Sequence, residues 1–157
     1  MRKQQVKTAG LELMAKAEMA YFTTIDSKGF PQTRVMANFR NRRQFPDLVG
    51  FFEQHKENYL TYLATHARWH KIKQIKANPK ASVYYCQPDE NHGMMVAGKA
   101  EIVRDKDLKN KLWQKGWEVY YPGGPQGRVF TIIRLTPVFV KGWFEKRPFE
   151  FELNRTL

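Results

Sequence analysis

Residues 65–79 read THARWHKIKQIKANP. Ile72 and Ile75 lie three apart, with Trp69 three before Ile72, which predicts a helix with one apolar face. A Thr side chain can cap the first free amides, so the expected start is Thr65 or His66. The expected stop is Asn78-Pro79, because the residue before proline is pushed out of the helical region. The first turns then combine free backbone N–H groups, a hydroxyl and Lys71, a set that suits a phosphate. No Asp or Glu occurs between Thr65 and Pro88. The plainer reading is a solvated basic helix with an apolar underside, and composition alone favours it.

On either side of this helix the chain reads as strands. Residues 59–64 (YLTYLA) lead into it and 81–87 (ASVYYCQ) leave it. Upstream, 19–26 (MAYFTTID) and 31–40 (PQTRVMANFR) form a hairpin across Asp26-Ser27-Lys28-Gly29, with glycine where positive φ is tolerated. Alternation puts Thr33, Val35, Ala37 and Phe39 on one face of the second strand. Arg34, Met36, Asn38 and Arg40 take the other, and Arg34 is expected to leave the core and line a cleft. Residues 46–55 read as a short helix with Pro and Asp in its first turn. Downstream, 94–104 is a long strand in which Gly98 predicts a bulge or bend. Asp105 caps a helix from 106 to about 116. Residues 129–135 and 138–144 are strands split by Thr136-Pro137, and 149–153 adds an edge strand. The N-terminal helix spans 3–17, and Gly10 weakens its middle. About six strands, mostly joined as hairpins, give a mainly β class: an antiparallel barrel with peripheral helices in one domain over 1–157, the barrel covering about 19–153.

With 157 residues the chain has the size of one domain, and 42% hydrophobic residues suffice for a core. The balance of 27 Lys and Arg against 15 Asp and Glu leaves a charge of +12, which favours anionic partners: nucleic acid, a membrane surface or a phosphorylated small molecule. Cys86 is the single cysteine, so internal disulfides and Cys-rich zinc sites are excluded. The first residues lack an unbroken apolar run, so neither a signal peptide nor a membrane span is expected and the default location is cytoplasmic.

Four stretches in this order, TTIDSKGFPQTRVM, YLATHARWHKIKQIKANPKASVYY, MVAGKAEIVRD with its following helix, and RLTP, resemble the FMN-binding split barrel of pyridoxamine 5′-phosphate oxidase and its relatives. The likeness is closer to the general stress protein 26 branch, and it runs from about Met19 to Phe144. It implies a six-stranded antiparallel split barrel, FMN as cofactor, oxidoreductase chemistry and a homodimer with flavin between subunits. Arg34 and Lys71 occupy the family's FMN-phosphate positions and Thr65 its hydroxyl position, while His70 stands where relatives have Arg or His. Val35, Met36 and Ala37 would lay their backbone along the flavin ring. The chemistry agrees, since a phosphate dianion suits a planar Arg fork, a Lys point charge and free amides. The chain also departs from the family. Trp69 replaces a frequent Ser. Gly93 stands at a glutamine of the oxidase. The oxidase's C-terminal Arg-x-His is replaced by Arg147-Pro148-Phe149, which argues against oxidase activity on pyridoxamine phosphate.

Other constellations are weaker. His66 and His70 have the i, i+4 spacing of a metal pair but lack an evident third ligand, so no metal is expected. Cys86 reads as a buried small hydrophobe. Trp117, Tyr120 and Tyr121 either cover a ligand or fill core. No catalytic acid–base pair is visible, which fits a protein whose cofactor carries the chemistry. Phe51, Phe52, Trp113, Trp117, Phe139 and Trp143 exceed what one small core hides, which points to a dimer interface. Two functional classes stay open: an FMN-dependent oxidoreductase or flavin-binding stress protein, and a non-enzymatic basic module binding nucleic acid or another polyanion. Haem or a deazaflavin could take the same pocket.

Overall fold

In the computed structural model, which describes residues 3–55 and 58–153, the hairpin is formed as its turn dictates. β1 (Met19–Ile25) and β2 (Pro31–Ala37) pair in antiparallel register. Asp26 accepts the amides of Lys28 and Phe30, both at 2.9 Å, and Gly29 takes φ +84°. α1 (Lys3–Lys16) precedes the hairpin and buries Val6, Gly10, Leu13 and Met14. After the hairpin come a 3-10 turn (Pro46–Leu48) and α2 (Val49–Glu53). β3 (Thr61–His66), α3 (His70–Ala77), β4 (Lys80–Gln87) and β5 (His92–Val103) follow. α4 (Lys106–Leu112) is capped by the Asp105 carboxylate, which accepts the Leu108 amide at 3.0 Å. β6 (Phe130–Phe144) and β7 (Arg147–Glu152) complete the sheet.

The class is mainly β. The strand path is β2-β1-β4-β5-β6-β3, all pairings antiparallel, with β7 branching onto β6. The described strands thus number seven where about six were expected, and strand pairing does not close the sheet. β6 corrects a second expectation, because it runs unbroken through Thr136-Pro137. Its register with β5 shifts between Ala97 and Gly98, and a bulge there absorbs the proline that would otherwise interrupt a ladder. A Cβ on Gly98 would fall 2.0 Å from the Thr136 carbonyl oxygen, so only glycine permits this approach.

Two clusters make the interior. The main one joins α1, the inner sheet face and Ile72 and Ile75 of α3. The second gathers Phe39, Phe45, Phe52, Tyr62, Leu112, Phe130 and Ile132, with Phe51, Trp113, Trp117 and Tyr121 packed against it. It absorbs most of the aromatic surplus that suggested an interface. Tyr120, by contrast, is exposed.

α3 stops where expected: Asn78 is extended and Pro79 follows. Its start does not match. Thr65 and His66 belong to β3, which pairs with β6 from Thr61↔Leu135 to His66↔Phe130. The helix begins only at His70, with Trp69 at the N-cap and no side-chain cap. Ladder pairing therefore outweighs the local capping tendency of threonine. Trp69 leaves the apolar underside and is 54% exposed, while Ile72 and Ile75 are buried. Burial of each contributes roughly 1.5–3 kcal/mol and fixes the helix on the sheet.

Candidate anion-binding site

The hairpin brings Arg34 to the inner side of β2. Met36 on the same face is buried, whereas Val35 on the other is 56% exposed. This reverses the expectation that the Val35 face is the apolar inner one. Both faces of β2 carry apolar residues, so alternation separates them without saying which turns inward. Arg34 consequently extends over Phe22, with its guanidinium carbon 5.7 Å from the ring centroid. Its Nη1 donates to Thr24 Oγ1 at 2.7 Å and to the Phe22 carbonyl at 3.4 Å. Its Nη2 donates to Gln74 Oε1 at 3.2 Å. The Thr24 hydroxyl donates to the same Gln74 oxygen. One arginine thereby links β1, β2 and α3 through neutral oxygens.

Lys71 approaches from the first turn of α3 and is only 6% exposed. Its Nζ donates to Thr65 Oγ1 at 3.0 Å and lies 4.4 Å from the Trp69 ring centroid. The predicted hydroxyl is therefore present, but it receives a lysine instead of capping a helix. Burial and, to a lesser degree, the positive charge of Arg34 together lower the Lys71 pKa from 10.5 to about 8. Burial also lowers the pKa of Arg34. Among the described residues neither cation forms an ion pair. Like charges that act on one another, one of them buried, with no described ion pair to either, oppose folding. That arrangement is offset when an anion sits between them. The uncapped start of α3 presents backbone amides on the Lys71 side.

The remaining expected residues divide. Met36 and Ala37 follow Arg34 on β2, at the end of the strand path. His70 opens α3 and is exposed, with no described hydrogen bond to Arg34, Thr65 or Lys71. His66 lies in β3, so the helical i, i+4 pair with His70 is not formed. Its ring instead stacks on Trp69 at 5.4 Å and 14°, and its Nδ1 accepts the Arg68 amide at 3.2 Å. Cys86 is half-buried instead of buried. Thr24 and Gln74 complete the site without having been singled out, and Trp69, noted above for the apolar helix face and as a departure from the family's Ser, lies over Lys71. Thr24 and Gln74 lie within the stretches quoted above, but both are neutral and the sequence assigns them no role. Only the position of Gln74, three after Lys71 in an acid-free helix, could have drawn attention to it.

The outer sheet face is the other notable surface. Cross-strand register aligns Val35, Tyr21, Tyr84 and Met95, and Trp143 stands opposite Gly93. Tyr84 and Trp143 are 44% and 40% exposed. The Tyr84 ring lies across Gly93, where a Cβ would fall 1.9 Å from the phenol oxygen. In this chain the tyrosine occupies the space that a side chain at position 93 would need.

Comparison with known proteins gives the family and the fold. The chain is 25% identical to general stress protein 26 of Bacillus subtilis (strain 168) over 158 residues, covering 98% of this chain and all of the relative. A Clostridium acetobutylicum protein related to general stress protein 26 superposes with TM-score 0.77 at 20% identity, covering 97% of each chain. A pyridoxamine 5′-phosphate oxidase-related, FMN-binding protein of Nostoc punctiforme PCC 73102 superposes with TM-score 0.56 at 14% identity, covering 99% of each. The model of the family described as "Pyridoxamine 5′-phosphate oxidase like" matches residues 49–153. The chain belongs to the pyridoxamine 5′-phosphate oxidase-like family.

Proposed function

We propose that this protein is an FMN-binding flavoprotein of oxidoreductase type whose phosphate site is built from Arg34 and Lys71. The observation that carries the proposal is the pair itself: a buried lysine in the first turn of α3 and a half-buried arginine hydrogen-bonded to Gln74 one turn further on, with neither in a described ion pair. A phosphate monoester dianion supplies the missing charge, and Thr65 and the α3 amides offer further polar contacts. The backbone of Val35, Met36 and Ala37 would flank the ring, and His70 would stand at the rim. Bound flavin would supply the electron-transfer chemistry, and the chain's role is to hold and orient it. The Nostoc relative's description as FMN-binding supports the cofactor assignment. The test is the absorbance spectrum of the purified protein, and of the apo form after adding FMN. Flavin bands that travel with the protein are expected, and their absence at saturating FMN contradicts the assignment.

The reading includes a homodimer that covers Tyr21, Val35, Tyr84 and Trp143, with flavin at the interface. These exposed apolar groups sit side by side on one sheet face, which favours burial by a second copy. Sedimentation at micromolar concentration should show a dimer, and a monomer would contradict the shared site. Pyridoxamine 5′-phosphate oxidase activity is not part of the proposal. Arg147 is exposed and lies on β7 beside Pro148, without the paired histidine of the oxidase. Restoration of vitamin B6 metabolism in an oxidase-deficient strain would overturn that part.

A second reading, polyanion binding, rests on the exposed Arg68, Trp69, Lys73 and Lys76, together with the directly opposed Lys80 and Lys99. It predicts binding to single-stranded nucleic acid that collapses with salt, irrespective of flavin.

A further inference from the structure

Arg34 has a spare edge, and its position follows from which edge is occupied. A guanidinium carries two N–H groups on each Nη and one on Nε. Thr24 Oγ1 receives from Nη1 and Gln74 Oε1 from Nη2, and these two oxygens are themselves hydrogen-bonded. They therefore sit together on the end-on edge, the one shared by Nη1 and Nη2. The Phe22 carbonyl faces Nη1 as well. The Nε–H and the second Nη2–H lie on the side-on edge, and no described acceptor receives them. Two parallel donors at that spacing form the fork that a phosphate or carboxylate accepts in bidentate fashion.

We infer that Gln74 is the positioning and specificity residue of the phosphate site: by holding the end-on edge of Arg34 it presents the side-on edge to a phosphate monoester. Resting on the flavin-phosphate reading above, this assigns phosphate discrimination to a neutral residue. Neutrality matters, because a carboxylate in the same place would hold Arg34 equally well and cancel the charge that attracts the ligand. Two further features support the role. Gln74 lies one helical turn beyond Lys71 on α3, so one rigid element sets both cations. Its oxygen serves two donors, which restrains its rotamer. The ligand class is a phosphate monoester over its unphosphorylated counterpart.

The experiment compares the wild type with Gln74→Glu and Gln74→Leu for FMN and for riboflavin, which shares the ring and side chain but lacks the phosphate. Gln74→Glu should retain the fold and lower FMN affinity by about tenfold or more, the scale of one charged hydrogen bond. Gln74→Leu keeps much of the volume, removes the acceptor, and should lower FMN affinity several-fold; it decides the matter if glutamate is not accommodated. Riboflavin affinity should be unchanged in both. Wild-type FMN affinity in both variants, or equal losses for FMN and riboflavin, would overturn the inference. If the wild type itself ignores FMN, the flavin reading fails separately. Thermal protection by inorganic phosphate then decides this one: protection of the wild type and not of Gln74→Glu supports it, and equal protection or none overturns it.

Discussion

Arg34 on β2 and Arg40 in the turn that follows it lie six residues apart, yet their guanidinium groups are satisfied in opposite ways. Arg40 directs its side-on edge at the protein: Nε and Nη2 both donate to the Leu60 carbonyl, at 3.0 and 2.7 Å, and Nη2 reaches the His55 carbonyl at 3.3 Å. Its guanidinium carbon lies 4.7 Å from the Phe52 ring centroid; burial lowers its pKa, and the charge of Glu53 only partly opposes this. Arg34 commits the end-on edge and leaves the side-on edge open, with no described carboxylate near it. The same side chain is a structural strut in one place and, in the proposed function, a receptor in the other. Two things distinguish them: Arg40 is buried and spends its side-on edge on backbone carbonyls, whereas Arg34 is half-buried and keeps that edge open.

Substitution should separate the two most sharply in stability. Arg40→Ala strands the Leu60 and His55 carbonyls and removes hydrogen bonds from a charged donor, each typically worth about 1.5–3 kcal/mol. A loss of about 3 kcal/mol or more is expected in urea denaturation, and an unchanged midpoint would break the contrast. Arg34→Ala should change stability far less, since its removal relieves a like charge beside Lys71. Its effect belongs in ligand affinity, where Arg34→Lys should also fail because an ammonium cannot reproduce the planar fork. Equal FMN binding by Arg34→Lys and the wild type would refute the edge argument.

pH offers a third test, with two opposite signs from one residue. The Lys71 pKa in the apo fold is about 8, below its ordinary 10.5. The folded chain therefore binds fewer protons than the unfolded chain between these values. The penalty for burying the charge is fully present below pH 8, and apo stability should rise with pH from about 8 towards 10.5. Phosphate binding requires the charged lysine, so FMN affinity should fall over the same range, by up to about tenfold per pH unit. Lys71→Met should abolish both trends relative to the wild type. Trends of the same sign, or trends that survive Lys71→Met, would place the titration elsewhere.

The contrast between the arginines also marks what could be read from the chain alone. Features with local causes were legible: the Asp26–Gly29 turn, the Asp105 cap, the bulge at Gly98 and the stop of α3 before Pro79. Features decided by distant pairing were not. Thr65 looks like a cap until β3 is laid against β6, and Pro137 looks like a break until the β5–β6 bulge accommodates it. Arg34 and Lys71 stood out by charge and by family resemblance. Thr24 and Gln74 carry no charge and lie 50 residues apart. Their role emerges only when α3 packs on the hairpin.

The smallest expected effect completes the set: Lys76→Ala, on the exposed side of α3, should alter FMN affinity by less than about twofold, as befits a screened surface charge. The most direct measurement is accordingly FMN titration into the apo forms of the wild type, Arg34→Ala, Lys71→Ala and Lys76→Ala at pH 7. A loss of roughly ten- to a hundredfold for each of the first two variants, with Lys76→Ala near wild type, is the predicted result. Equal small losses for all three variants would contradict it, since general positive charge would then account for binding and the polyanion reading would take its place.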